Sequence, residues 1–135
     1  MRSDLSFRGF SLIEMLVVVS IVCILASVTL PSYSRHIDKS RRTDGIIALL
    51  RIQLAQEQQR TLRGVYSADW KDLGFERPFS PDAYYALAVD VSDDNWTAVA
   101  TPRGAQRRDA CGKFAIGAKG PIHAPPYANR RCWSR

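Results

Sequence analysis

The sequence has none of the motifs by which an enzyme is usually recognised. It lacks a glycine-rich phosphate-binding loop, a nucleophile placed beside a base, and a cluster of metal-ligand residues. The two histidines, His36 and His123, lie too far apart in the sequence to indicate a metal site. The acidic pair Asp93 and Asp94 precedes an asparagine, a pattern typical of a hairpin turn rather than of a calcium site. We therefore predict no catalytic residue, no metal site and no cofactor.

Charge is nearly absent from residues 10–30, where Glu14 is the only charged side chain. A helix of this length spans about 30 Å, enough to cross the hydrocarbon core of a bilayer. The segment is apolar on all sides, unlike an amphipathic helix of a soluble domain. Arg2 and Arg8 precede it, which predicts a single-pass protein with a cytoplasmic N-terminus. Within the segment, Cys23 is interpreted as a small apolar residue.

Glu14 is unusual because a carboxylate placed in lipid costs several kcal/mol. The residues around it, GFSLIE at positions 9–14, resemble the processing motif of type IV pilins and pseudopilins. The resemblance implies cleavage by a prepilin peptidase between Gly9 and Phe10, N-methylation of Phe10, and a role for Glu14 in assembly. Pairing of Glu14 with the new amine of a neighbouring subunit would compensate the burial of the carboxylate.

The same resemblance implies where the protein resides and what it contacts. Residues 1–9 would be a leader peptide, and the apolar helix would stay on the mature protein because it follows the cut. The subunit would wait in the inner membrane until an assembly platform there adds it to an extracellular pilus at the cell surface. Its partners would be other pilin subunits, the prepilin peptidase and the platform.

The helical pattern continues beyond the apolar segment. We expect one long helix with a membrane half (10–30) and an amphipathic half (31–64), kinked at Pro31 and ended by Gly64. Apolar residues recur at helical spacing in the second half: Ile46, Ile47, Leu49, Leu50 and Leu54. A C-terminal globular head is the obvious cover for this stripe.

Residues 65–135 have the pattern of a small antiparallel sheet. Residues 84–92 and 96–101 alternate apolar and polar side chains on either side of a turn sequence, as in a hairpin, and residues 113–116 predict a shorter third strand. The predicted fold class is α+β, with the long N-terminal helix packed on this sheet and a disulfide-closed C-terminal loop.

Two cysteines, Cys111 and Cys132, enclose that loop, which holds glycines and prolines but little hydrophobic mass. A domain outside the cytoplasm permits a disulfide here, and two free thiols are the alternative. Type IV pilins close a C-terminal loop, the D-region, with such a bridge, so the resemblance favours pairing. The sequences at 109–112 and 132–133 look like the PilE branch of minor pilins.

Acidic residues are scarce from residue 103 onward, where Asp109 is the only one among many lysines and arginines. Three aromatic residues are interleaved with these basic ones: Phe114, Tyr127 and Trp133. Binding of nucleic acid uses both types, because basic side chains neutralise phosphates and aromatic rings stack on bases. The candidate DNA contacts are Arg103, Arg107, Arg108, Lys113, Lys119, Arg130 and Arg131. A solvated surface that meets acidic neighbours along a filament is the alternative.

These observations leave several functions open. The first is a structural subunit, interpreted as a minor pilin, of a type IV pilus that serves adhesion, twitching motility or DNA uptake. The others are a DNA-receptor minor pilin of natural transformation, a pseudopilin of a type II secretion system, and a single-span membrane protein that never assembles. The processing motif favours the first three, and the paired cysteines speak against the pseudopilin.

Overall fold

The computed structural model describes residues 9–134, with the backbone alone at residues 30–32 and 35. The predicted leader peptide, apart from Gly9, lies outside the described residues. The chain divides into two compact units, one ending at His36 and the other beginning at Ile37. A single helix, α1 (Leu12–Arg63), supplies residues to both units.

In the first unit, α1 begins after Ser11, whose carbonyl oxygen accepts hydrogen bonds from the amides of Glu14 (3.0 Å) and Met15 (3.2 Å). Glu14 therefore lies in the first turn, where a carboxylate is favoured by the helix dipole. The segment Leu12–Thr29 has a mean hydropathy of 2.6 and no part of it is buried in the protein. By length and composition it can cross a membrane. Pro31 lies within α1, and its predicted kink stays a prediction.

In the second unit, one face of α1 is buried against the sheet. The buried residues recur every three or four positions: Gly45, Ala48, Leu49, Ile52 and Gln56. Of the predicted stripe, Leu49 is buried and Ile46 is half-buried. The head therefore covers the stripe only in part, because the buried face runs through Gly45, Ala48, Leu49 and Ile52 and leaves the other positions exposed: Ile47, Leu50 and Leu54.

Gly45 explains why the buried face lies where it does. A Cβ atom at this position would lie 2.8 Å from Cδ2 of Tyr85, so only glycine lets the Tyr85 ring pack directly on the helix. The helix ends as predicted at Gly64, whose positive φ of 75° is the left-handed conformation that commonly terminates helices.

The sheet has four antiparallel strands in the order β1 (Tyr85–Ser92), β2 (Asn95–Pro102), β3 (Phe114–Gly117) and β4 (Gly120–Ile122). The predicted hairpin and third strand are confirmed to within a residue or two. The short strand β4 was not predicted, because its three residues, a glycine, a proline and an isoleucine, are too few for an alternating pattern and include a residue that strands usually lack. Its edge position tolerates the proline.

The core lies between α1 and the sheet. Its largest fully buried side chains are Tyr85, Trp96, Phe114, Leu49, Ile52 and Ile116. The rings of Tyr85 and Phe114 meet edge to face with centroids 6.0 Å apart. This packing of the helix on the antiparallel sheet confirms the predicted α+β class.

The chain after β2 forms a 3₁₀ helix (Gly104–Arg108), then β3 and β4, and finally the short helix α2 (Arg130–Trp133). A disulfide joins Cys111 to Cys132 with their Cα atoms 5.8 Å apart. The predicted pairing is therefore confirmed, and α2 is fixed beside the segment that precedes β3.

Candidate functional site

The predicted processing site lies at the start of the described chain. Gly9, Phe10 and Ser11 precede α1 and lie outside regular secondary structure, and all three are exposed. Glu14 is exposed one turn into the helix. The motif thus places an accessible peptide bond just before an apolar helix that carries one acid.

The second candidate site is a set of basic residues that strand register brings to one end of the sheet. Arg103 directly follows Pro102, which pairs with Tyr85, and Lys113 directly precedes Phe114, which pairs with Ala100. The 3₁₀ helix between them carries Arg107 and Arg108. Since β2 ends where β3 begins, these four basic residues share one end of the sheet.

The disulfide adds two more arginines to this end. Arg130 and Arg131 immediately precede Cys132, which is bonded to Cys111. The amide of Ala128 also donates to the carbonyl oxygen of Lys113 at 2.7 Å, which fixes the returning chain there. We call the six exposed residues at this end the basic edge: Arg103, Arg107, Arg108, Lys113, Arg130 and Arg131.

Lys119 lies elsewhere. It is in the turn between β3 and β4, next to the pair Gly117 and Gly120, at the opposite end of β3 from Lys113. At about 3.3 Å per residue, the four residues of β3 put roughly 13 Å of strand between the two ends. The structure therefore does not bring Lys119 to the basic edge.

The one acid of this part of the chain, Asp109, points inward rather than toward the basic edge. Its carboxylate accepts two hydrogen bonds from Arg42 of α1, from Nε at 2.7 Å and Nη2 at 2.6 Å, and only 2% of its side chain is exposed. The hydrogen bond to Asp109 raises the pKa of Arg42 above its usual value. The basic edge therefore keeps its full charge, because Asp109 is already paired with Arg42.

Gln106 extends this buried polar group. The two N–H groups of its Nε2 are shared among three acceptors: Asp109 Oδ2 at 3.1 Å, the hydroxyl of Tyr85 at 3.2 Å and the carbonyl oxygen of Asp38 at 3.1 Å. Burial raises the pKa of Tyr85 to about 12. Sequence reasoning missed Arg42 and Gln106, although a lone acid in a basic segment is a signal that it has a buried partner.

The aromatic residues of this segment differ in their availability. Phe114 is fully buried, so the expectation that it could stack on a base is wrong: it packs edge to face on Tyr85 and Trp133. Trp133 is half-buried, with its ring centroid 5.4 Å from that of Phe114 and 6.0 Å from that of His123. Tyr127 is also half-buried. The exposed chemistry of the basic edge is therefore mainly cationic.

Metal ligands do not gather in the part of the chain that the structure describes: residues 9–134 contain no group of three or more His, Cys, Asp or Glu side chains placed to hold an ion. Asp93 and Asp94 form the turn between β1 and β2, as predicted, and Asp94 accepts from Arg60 at 3.2 Å on the surface.

Two family models match the chain. Residues 31–115, more than half of the sequence, match the family described as type IV minor pilin ComP, DNA uptake sequence receptor. Residues 5–30 match the prokaryotic N-terminal methylation motif. The chain belongs to the type IV pilin family. The resemblance drawn from residues 9–14 is thereby confirmed.

Individual relatives support the same family assignment. This pilin is 26% identical to the type IV major pilin PilE of Neisseria gonorrhoeae over 112 residues, which cover 83% of this chain and 67% of that protein. It is 37% identical to the major fimbrial protein FimA of Dichelobacter nodosus over 54 residues, 38% of this chain and 34% of FimA. The matches thus span between a third and two thirds of these curated relatives.

A solved structure shares the fold. The high-resolution structure of a type IV pilin from Shewanella oneidensis superimposes with a TM-score of 0.55, covering 73% of this pilin and 99% of that chain at 23% identity. A long helix packed on an antiparallel sheet, with a disulfide near the C-terminus, is therefore the architecture of this pilin, as the fold class predicted.

Proposed function

We propose that this pilin is a minor subunit of a type IV pilus and that its basic edge binds DNA, as a receptor in natural transformation. The observation that carries the DNA proposal is the convergence of six exposed basic residues at one end of the sheet, while Asp109 is paired with Arg42. The match to a family described as a DNA uptake sequence receptor supports it. The role is structural and binding rather than catalytic.

The assembly half of the proposal rests on the N-terminus. Prepilin peptidase would cut between Gly9 and Phe10, Phe10 would be N-methylated, and Glu14 would pair with the amine of another pilin. The exposed motif before α1 and the match to the methylation motif support these steps. The span Leu12–Thr29 would hold the subunit in the inner membrane, N-terminus inward, until the assembly platform moves it into the surface pilus.

The DNA half follows from ordinary phosphate chemistry. Exposed Arg and Lys side chains donate charge-assisted hydrogen bonds to phosphate oxygens and release counterions, so binding weakens as salt rises. The disulfide and the bond from Ala128 to Lys113 hold α2 and its arginines in place without DNA, which reduces the ordering cost of binding. Lys119 lies outside this surface.

The test is DNA binding by the full chain in detergent micelles, measured by fluorescence anisotropy of a labelled duplex at about 50 and 200 mM salt. We expect the double variant Arg130→Gln/Arg131→Gln to bind more weakly and with a shallower salt dependence than the wild type. Lys119→Gln is the control, because it removes a positive charge at the other end of β3. Absence of wild-type binding at low salt would overturn the DNA proposal and assign the basic edge to contacts between pilins.

A further inference from the structure

A cleft beside the basic edge collects three arginines from three separate parts of the chain. Arg51 comes from α1, Arg77 from the segment before β1, and Arg103 from the residue after β2. The cleft has a volume of about 400 Å³, and Phe79, Ser80 and Ala83 also line it. Glu76 is its one lining acid, so the three arginines give the cleft a net charge of +2.

Arg103 is held in a defined position. Its guanidinium carbon lies 4.2 Å from the ring centroid of Phe79, and its Nη1 donates to the carbonyl oxygen of Ala83 at 3.3 Å. A guanidinium stacked on a ring and bonded through one nitrogen keeps other N–H groups for a ligand. The geometry of Arg103 is therefore fixed before any ligand binds.

The wall under Arg103 is also fixed. Phe79 forms a β-bridge with Ala86, and the amide of Leu87 donates to the carbonyl oxygen of Pro78 at 2.8 Å. The hydroxyl of the buried Ser80 donates to Asp44 of α1. Since α1 and β1 both hold this segment, the cleft is preorganised, which lowers the entropic cost of binding.

The other two arginines carry uncompensated charge. Among the described residues, neither Arg51 nor Arg77 has a carboxylate partner, whereas Arg42, Arg60 and Arg63 each pair with an aspartate. Two unpaired guanidinium groups beside a third, stacked one indicate a site for an anion. Arginine is suited to phosphate because its planar donors match two phosphate oxygens at once.

We propose that the cleft of Arg51, Arg77 and Arg103 binds a backbone phosphate of the DNA that the basic edge contacts. The proposal rests on the function proposed above and adds Arg51 and Arg77 to it. Arg103 belongs to both surfaces and leads directly into the 3₁₀ helix with Arg107 and Arg108, so one strand of DNA backbone can follow them.

The chemistry of the cleft makes this contact independent of base sequence. Two aromatic rings line it: Phe79 is covered by Arg103, and Phe75 packs edge to face with Trp70, their ring centroids 6.0 Å apart. Phosphate contacts position a protein on DNA without reading its sequence. Loss of the cleft should therefore weaken binding to any duplex by the same factor.

The experiment compares the double variant Arg51→Gln/Arg77→Gln with Lys119→Gln and the wild type, using the full chain in detergent. We measure affinity for two labelled duplexes of unrelated sequence across a salt series. Each phosphate contact contributes about 0.9 to the slope of log K against log salt, so the double variant, which loses the one phosphate held by the cleft, should lose about 0.9 from the slope. The loss should be equal for both duplexes, and Lys119→Gln should keep the wild-type slope.

Glu76→Gln is a second variant, chosen because its expected effect is tighter DNA binding, which misfolding would not produce. Removing the one acid of the cleft should tighten binding, most strongly at low salt. A wild-type slope in Arg51→Gln/Arg77→Gln, or unchanged affinity in Glu76→Gln, overturns the cleft proposal while the basic edge still stands. Failure of the wild type to bind DNA overturns both, so the two failures are distinguishable.

Discussion

At the scale of single residues, Asp109 determines the charge of the basic edge by facing away from it. Both carboxylate oxygens are occupied by Arg42, and Gln106 adds a third donor. A carboxylate so paired cannot neutralise the arginines around it, although it is their neighbour in sequence. The pair also joins α1 to the segment before the disulfide, so one interaction stabilises the fold and leaves the surface cationic.

Tyr85 gives a prediction about pH at the same scale. Its ring is buried against Gly45 and Phe114, and burial raises its pKa from 10.0 to about 12. The folded protein thus holds this proton more tightly than the unfolded chain. The associated stability is complete below about pH 10 and is lost as the pH rises toward 12. Urea unfolding of the full chain in detergent should show a fall of about 2 kcal/mol across that interval.

The matched variant for this prediction is Tyr85→Phe, which keeps the ring and removes the titrating hydroxyl. Its free energy of unfolding should be lower than that of the wild type at about pH 8, because Gln106 loses one acceptor, and should fall less between pH 10 and 12. The two proteins contain the same other tyrosines and lysines, so the difference between their alkaline losses of stability reports on Tyr85 alone. Equal alkaline losses in the two proteins would mean that Tyr85 does not carry the effect.

At the scale of elements, the disulfide holds α2 in place. This helix has only four residues and none is fully buried, so apart from the contact of Trp133 with Phe114 the disulfide is its main link to the head. The bridge closes a loop with a sequence separation of 21, which corresponds to about 3 kcal/mol of stabilisation. We expect the double variant Cys111→Ser/Cys132→Ser to lose about that much stability in urea unfolding and to bind DNA more weakly, since Arg130 and Arg131 become unconstrained.

Two comparisons separate these effects. Cys23→Ser removes the free thiol of the span and should change neither stability nor DNA affinity. Arg130→Gln/Arg131→Gln should lower affinity but leave the free energy of unfolding within about 0.5 kcal/mol, because both side chains are exposed. If the serine variant binds DNA as tightly as the wild type, α2 does not depend on the disulfide for its position.

The elements that the sequence predicts well are those with a regular pattern over many residues. The apolar span and the alternating strands β1 and β2 follow from local sequence pattern, and the end of α1 follows from the glycine at position 64. The buried face of α1 does not, because it depends on which helix residues allow Tyr85 to approach, and a glycine at 45 is no signal of burial. Strand register likewise places Lys119 away from the other basic residues, although all of them lie close together in the sequence.

The functional residues divide in the same way. The processing motif is contiguous, so residues 9–14 were recognisable in the sequence alone. The cleft of Arg51, Arg77 and Arg103 was not, since its members are separated by more than twenty residues each and meet only after α1, the preceding loop and β2 have packed together. The partner of Asp109 was hidden for the same reason.

At the scale of the whole molecule, Glu14 is the residue that we propose to connect this chain to others. The span satisfies its own hydroxyls: Ser20, Ser27 and Thr29 donate to backbone carbonyl oxygens at 2.8, 2.7 and 2.9 Å. Among the described residues, Glu14 has no such partner. A carboxylate in an apolar environment needs a cation, and cleavage before Phe10 would create one on each neighbouring subunit.

We therefore expect Glu14→Ala to insert into the inner membrane normally and to be absent from pili. Insertion depends on the apolar length of Leu12–Thr29, which the change does not shorten, whereas assembly depends on the missing charge. The measurement is the amount of this pilin in sheared pili and in membranes, with an intact mass of the sheared protein. That mass should correspond to residues 10–135 with one methyl group added and two hydrogens lost to the disulfide.

Ser20→Ala is the control, because it also changes a polar residue of the span but removes only an internal hydrogen bond. It should enter pili in wild-type amounts. If Glu14→Ala enters pili equally well, the carboxylate is not the assembly contact, and the apolar helix alone must hold the subunit. If the wild type is found only in membranes and at full length, cleavage before Phe10 does not occur, and the chain acts as an anchored domain instead of a filament subunit.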